Sequence, residues 1–255
     1  NDRVLYANRA DKRQRLVALI NGVRTEPFLP QLAGVDRFED FCRRFHSMLS
    51  AEGASGHVSP RAIRLGRELV SELTSQPDWF LGRLKTLVLD PTSLDGQRPG
   101  IWPNEFTLYR CPDKSFVVLA YVWEPGLADT IHDHGAWGVI GTVLGTLRET
   151  RYERVDGRDR DDYCELREQT SALFSPGQAT VVLPLDAGLH AMDNPTEMIA
   201  ASINVYGRSL GRGYTRFFDP VAHTITRVFP PRTAQLVLAA EAMAADIAGA
   251  MGQVE

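Results

Sequence analysis

The sequence predicts an all-β core, an antiparallel barrel or jelly roll, with a helical layer before it and one helix after it. Three observations carry this. Apolar residues recur at three- and four-residue steps over the first ninety residues, then at every second residue from Phe106 to Phe229. These are the periods of helix and strand. Turn pairs at Pro112-Asp113, Pro125-Gly126, Asp156-Gly157, Pro176-Gly177 and Asn194-Pro195 supply the punctuation that many short strands need. No internal repeat or low-complexity tract breaks the chain. One structural domain is therefore expected: residues 1–103 as a helical layer packed on the barrel, 104–229 as the barrel, and 230–255 as a C-terminal helix.

In the helical layer, Phe38, Phe41, Cys42, Phe45, Met48 and Leu49 form one stripe, and His46 falls off it as a surface histidine. Ser59 before Pro60 reads as an N-cap with proline at the first helical position. The helix that follows is expected to bury Ala62, Leu65, Leu69 and Leu73. His57 precedes this cap in a Gly/Ser-rich linker, and Leu89 to Pro103 is a Pro/Gly/Asp-rich connection. Strands are expected at Phe106–Arg110, Phe116–Trp123, Gly138–Val143, Leu147–Glu153, Thr180–Leu183, Ile199–Tyr206 and Ile225–Phe229. From about Thr233, Leu236, Ala240, Met243, Ile247 and Met251 mark the closing helix.

A net charge of −4 gives no electrostatic reason to expect nucleic acid or a membrane surface as partner. No apolar run reaches the roughly 20 residues of a membrane span, and no leader pattern is present. The 3 cysteines, Cys42, Cys111 and Cys164, have neither CxxC spacing nor a disulfide framework. A reducing, cytoplasmic setting is expected; a homo-oligomer is left open.

The chemistry gathers in Gly126–Gly145, GLADTIHDHGAWGVIGTVLG. His132 and His134 sit two apart in an extended segment, so both imidazoles point the same way. That suits two neighbouring ligands of one metal, with a third needed from elsewhere. Asp133, between them, points to the other face. A second stretch leads from Gly177 through Pro184 and Gly188 to His190 and Asn194.

Together the two stretches resemble the paired motifs of the cupin superfamily. The spacing of Gly126, His132-x-His134, Gly138 and Gly145 matches the first motif, and Gly177, Pro184, Gly188, His190 and Asn194 fit the second. The resemblance implies a metal centre of His132, His134 and His190. Many cupins have a glutamate ligand where this chain has Gly138, so the expected set is three neutral imidazoles. A divalent ion there keeps its full charge and favours an anionic ligand such as a thiolate. The same set suits zinc for hydrolytic or hydration chemistry.

The run IHDHGAWGVIGTVLGTLRETRYE and the later Ser202-x-Asn204-x-Tyr206 are similar to the cysteine dioxygenase (thiol dioxygenase) family. That resemblance implies iron(II), Fe(II), as cofactor and a small thiol and dioxygen as substrates, with a sulfinate as product. It makes Tyr206 a hydrogen-bonding catalytic residue, with Ser202 and Asn204 on the same strand face. The chain departs from the family at three places. Gly138 lacks the sulfur that crosslinks to the tyrosine in mammalian-type members, which resembles the bacterial 3-mercaptopropionate branch. Leu108 stands where the family has a carboxylate-binding arginine, and Asn204 replaces a histidine. A substrate carboxylate then needs another partner. Arg216 is the favoured candidate; Arg212 and Arg110 are the others, Arg110 being taken to share a strand face with Leu108. Trp137 is expected at the pocket mouth or, equally, as a packed strand-end tryptophan, and His223 in a structural or exposed place. Mercaptosuccinate- and cysteamine-type dioxygenases, a zinc or nickel enzyme working without dioxygen, and a ligand sensor without turnover are the alternative readings.

Overall fold

A computed structural model describes residue 14 and residues 33–51, 58–89, 101–102 and 104–231. The expected C-terminal helix, the His57 linker and most of the 89–103 connection lie outside the described residues.

Among residues 33–89, three helices are described: α1 (Ala33–Ala51), α2 (Pro60–Thr74) and α3 (Asp78–Leu89). Ser59 caps α2, its Oγ accepting from Ala62 N at 3.1 Å, with Pro60 in the first turn. Ten strands follow: β1 (Glu105–Arg110), β2 (Phe116–Trp123), β3 (Gly138–Leu144), β4 (Leu147–Arg154), β5 (Leu166–Phe174), β6 (Ala179–Val182), β7 (His190–Asp193), β8 (Ala200–Gly207), β9 (Thr215–Asp219) and β10 (Thr224–Val228). They form a five-stranded sheet in the order β1-β2-β8-β3-β6, a three-stranded sheet β5-β4-β7, and the ribbon β10-β9, all antiparallel. The predicted jelly-roll barrel with a helical layer is the observed architecture. No helix among the described residues is long and apolar enough to cross a membrane.

The five-stranded sheet is apolar on both faces because it separates two cores. On β2, Val118, Ala120 and Val122 face the helices, joining Phe38, Phe41, Phe45, Val70, Leu73 and Phe80. The alternate residues Leu119, Tyr121 and Trp123 face the barrel interior with Ile140, Leu147 and Met192. Helix α2 crosses β3 at Gly141, where an added Cβ would stand 2.6 Å from Val70 Cγ1. The expected face of α2 is rotated: Ala62, Gly66, Val70 and Leu73 are buried, while Leu65 is 37% exposed. The small residue Gly66 lets the helix sit close on Phe45, which a reading based on apolar residues alone passes over.

Strands β5, β7 and β9 were not expected. β5 is exposed along nearly its whole length, so it carries no apolar alternation. The expected common face of Leu108 and Arg110 is also corrected. Thr107 pairs with Leu119 and Tyr109 with Val118, so Leu108 is the extra residue of a β-bulge. Leu108 and Tyr109 both pack toward the helical layer, while Arg110, opposite Val117, returns to the barrel side.

Gly141→Ala should lower the unfolding free energy by about 1–3 kcal/mol through overpacking against α2, read from the midpoint of a urea titration at unchanged slope.

Candidate metal centre

The two histidine motifs meet through backbone pairing. His132 N donates to His190 O at 2.9 Å, and His190 N donates to His132 O at 3.2 Å. His132 also bridges Phe217 of β9, so the first motif runs as an irregular strand between β7 and β9. Residues 132 and 134 then share one face. Ligand atoms of His132, His134 and His190 lie within 4.8 Å of one another. His132 and His190 are buried, and His134 is partly open to the cavity above them.

The ring nitrogens are sorted by their partners. His132 Nδ1 donates to Thr130 O at 2.8 Å, and His190 Nδ1 to Glu149 Oε1 at 2.8 Å. Each therefore keeps a bare Nε2 lone pair, the tautomer a metal ligand needs. His134 Nε2 lies 2.9 Å from His190 Nε2. With bonds of about 2.1 Å, two nitrogens at right angles on one ion stand about 3.0 Å apart, and at the tetrahedral angle about 3.4 Å. The spacing fits two neighbouring ligands of one ion. Burial, with a smaller contribution from His190, pushes His132 down to about 3. Burial and the neighbouring rings hold His134 well below its ordinary value. Both rings are therefore neutral at neutral pH, and the donor set fits a divalent transition metal.

Glu149, on β4, was not singled out from sequence. Besides His190 it accepts from Thr180 Oγ1 at 2.8 Å and from Arg151 Nε at 3.1 Å. Burial alone would raise its carboxyl, but the hydrogen bond from His190 and the charge of Arg151 hold it below the ordinary range. It is therefore an anion that fixes the His190 ring. The signal was an acid at the inward position after Leu147, visible only once the strand's phase is known.

Asp133 is fully buried and takes two arginines that follow Tyr206, Arg212 and Arg216. Arg212 Nη1 donates to its Oδ2 at 2.7 Å, Arg216 Nε to Oδ2 at 2.6 Å and Arg216 N to Oδ1 at 2.9 Å. Arg216 Nη2 also binds Asp186. Burial works to raise the Asp133 carboxyl, and these hydrogen bonds outweigh it. Arg216, favoured from sequence for a substrate carboxylate, is thus spent inside the protein and is not on the cavity wall. Arg212 reaches the wall, but its Nε donates to Tyr214 O at 2.9 Å and its other nitrogens to Asp133.

A cavity of about 660 Å³ opens over the histidines. Trp102, Glu105, Arg110, Tyr121, Tyr206 and Arg212 are among its lining residues. Trp102, also missed from sequence, stacks on Phe217 at 5.0 Å and against His132 at 4.8 Å. Tyr121 donates to Glu105 Oε2 at 3.0 Å. Arg110 donates to Thr107 Oγ1 at 3.2 Å and has no carboxylate partner among the described residues.

Tyr206 stacks on His134 at 5.3 Å and accepts from Asn204 Nδ2 at 3.1 Å. Burial raises its phenol, so it stays protonated and keeps its own hydrogen to donate. Gly138 pairs with Tyr206 across β3 and β8, and a Cβ at 138 would stand 2.5 Å from Tyr206 Cδ1. The ring fills the space that a carboxylate ligand or a cysteine would need. Ser202 lies deeper, its Oγ accepting from Trp123 Nε1 at 3.2 Å. Trp137 is not at the mouth: it packs on Phe45 at 6.3 Å in the helix-facing core, with Gly207 beneath its ring. Leu108 is in that core too. His223 sits at a loop position with its Nδ1 3.1 Å from Cys164 O.

No protein-family model matches the chain. Solved structures with similarity include TT1209 from Thermus thermophilus (19% identity, 41% of this chain and 81% of that one, TM-score 0.31). They also include cupin 2 conserved barrel domain proteins from Salinispora arenicola (18%, 40% and 73%, 0.30) and Rhodopseudomonas palustris (10%, 45% and 66%, 0.34). At such scores the likeness carries no functional argument, and the barrel rests on its own strand order and register.

Glu149→Gln should weaken metal binding about 10- to 100-fold, measured by competition with a chromophoric chelator.

Proposed function

We infer that this protein is a thiol dioxygenase: it joins both atoms of O2 to the sulfur of a small thiol, R–SH + O2 → R–SO2⁻ + H⁺, at an iron(II) centre. The observation that carries this reading is the carboxylate-free set of His132, His134 and His190, with Tyr206 occupying the place of a ligand at Gly138. Iron held by these three imidazoles would supply the redox chemistry and leave positions for an anionic sulfur and dioxygen.

The chain's own residues do the rest. Glu149 and Thr130 O hold the ligand rings in the right tautomer. Tyr206, kept protonated by burial and steadied by Asn204, presents a hydrogen-bond donor beside His134. Trp102, backed by its stack on Phe217, gives the cavity an apolar wall beside His132. Arg110 is the cavity cation left without a carboxylate partner among the described residues, so it is assigned the substrate carboxylate in place of Arg216. A guanidinium fork suits that task. Thiol carboxylates such as 3-mercaptopropionate or mercaptosuccinate are therefore favoured over cysteamine.

An oxygen electrode tests this with iron-loaded protein and a panel of 3-mercaptopropionate, mercaptosuccinate, cysteine and cysteamine. One O2 should be consumed per sulfinate formed, fastest with a carboxylated thiol. No thiol-dependent uptake while iron stays bound would overturn the reading in favour of a non-oxidative enzyme or a sensor. Arg110→Ala should raise KM for the carboxylated thiol about 10- to 100-fold, the loss of hydrogen bonds to a charged group. An unchanged KM would move the carboxylate elsewhere on the wall.

A further inference from the structure

A second group of metal-ligating side chains lies where α1 meets the turn between β1 and β2, apart from the three histidines. His46 Nε2 stands 3.1 Å from Asp113 Oδ2. One ligand atom each from His46, Cys111 and Asp113 lies within 4.8 Å of the other two. The frame that holds them needs no ion. Cys111 N donates to Phe116 O at 3.0 Å and Lys114 N to Cys111 O at 2.9 Å, which closes the turn. Ser115 N and Oγ donate to Asp113 Oδ1 at 2.9 and 2.6 Å, leaving Oδ2 aimed at the imidazole. Cys111 is buried, whereas the side chains of His46 and Asp113 are 44% and 51% exposed, so an ion can enter from solvent and meet the sulfur beneath.

We propose that His46, Cys111 and Asp113 bind one zinc ion, a second metal site that staples helix α1 to the β1–β2 turn. An imidazole, a thiolate and a carboxylate with one water make a four-coordinate set of the kind zinc takes. Binding exchanges the Cys111 thiol proton for the Zn–S bond, with no change of oxidation state. Cys42 lies one helical turn before His46 on the same face but outside the set; burial pushes its thiol up to about 12. The staple also fixes the strand end that carries Arg110, one residue before Cys111.

Sulfur separates the two sites experimentally, because the histidine centre has none. Cobalt(II) added to the metal-free full chain should give a sulfur-to-cobalt charge-transfer band, and the same chain saturated with zinc in place of iron should hold two ions. His190→Ala should keep the band and lose one ion. Cys111→Ser should lose the band and one ion, while Cys42→Ser keeps both. Asp113→Asn, which keeps a side-chain oxygen for Ser115 but removes the carboxylate charge, should weaken cobalt binding at the sulfur site at least tenfold. The proposal is overturned if wild-type protein gives no charge-transfer band, or if the band survives Cys111→Ser. It is also overturned if Cys42→Ser abolishes the band, or if the second zinc is insensitive to both Cys111 and Asp113, which would mark an adventitious ion only.

Discussion

The reciprocal backbone hydrogen bonds between His132 and His190 hold two motifs together that are 58 residues apart in sequence. Everything in the centre follows from this pairing. It puts His132 and His134 on one face, brings in His190 from the facing strand, and forces Asp133 onto the opposite face, where it is fully buried. A buried carboxylate is costly unless it is paired and hydrogen-bonded. Arg212 and Arg216 meet that need, and in doing so tie the loop after β8 and the start of β9 to the histidine segment. The ligand geometry is therefore held from behind as well as from the sides.

Charge is divided cleanly across this arrangement. The cavity side offers the neutral imidazoles of His132 and His134 and a protonated phenol, because burial disfavours their charged forms. Behind it, Asp133, Asp186, Arg212 and Arg216 neutralise one another. Glu149 stands between the two regions and transmits negative charge to the centre through His190. The result is a histidine cluster inside a framework of satisfied charges, with two guanidinium groups on the cavity wall: Arg212, paired with Asp133, and Arg110, without a carboxylate partner among the described residues.

The barrel, the helical layer and the histidine motifs could be read from the sequence because each depends on local pattern. Period two, the Ser59-Pro60 cap and the His-x-His spacing survive folding unchanged. What could not be read depends on partners distant in sequence. Arg216 looks free until Asp133 and Asp186 fold against it. Trp137 looks like a rim residue until Phe45 arrives from α1. Glu149 is an ordinary strand acid until His190 pairs beside it. Strand β5 lacks apolar alternation because it is an outer strand with both faces toward solvent.

The bulge at Leu108 bears on how such a protein can diverge. Because strand side chains alternate, one inserted residue exchanges which members of β1 see the cavity and which see the helical layer. Metal ligands lie on other strands and keep their register through the change. The cavity wall and the histidine cluster are thus set by different strands: an insertion or deletion on this one edge strand changes which β1 side chains line the cavity. The pairing that holds the three histidines together is untouched by it.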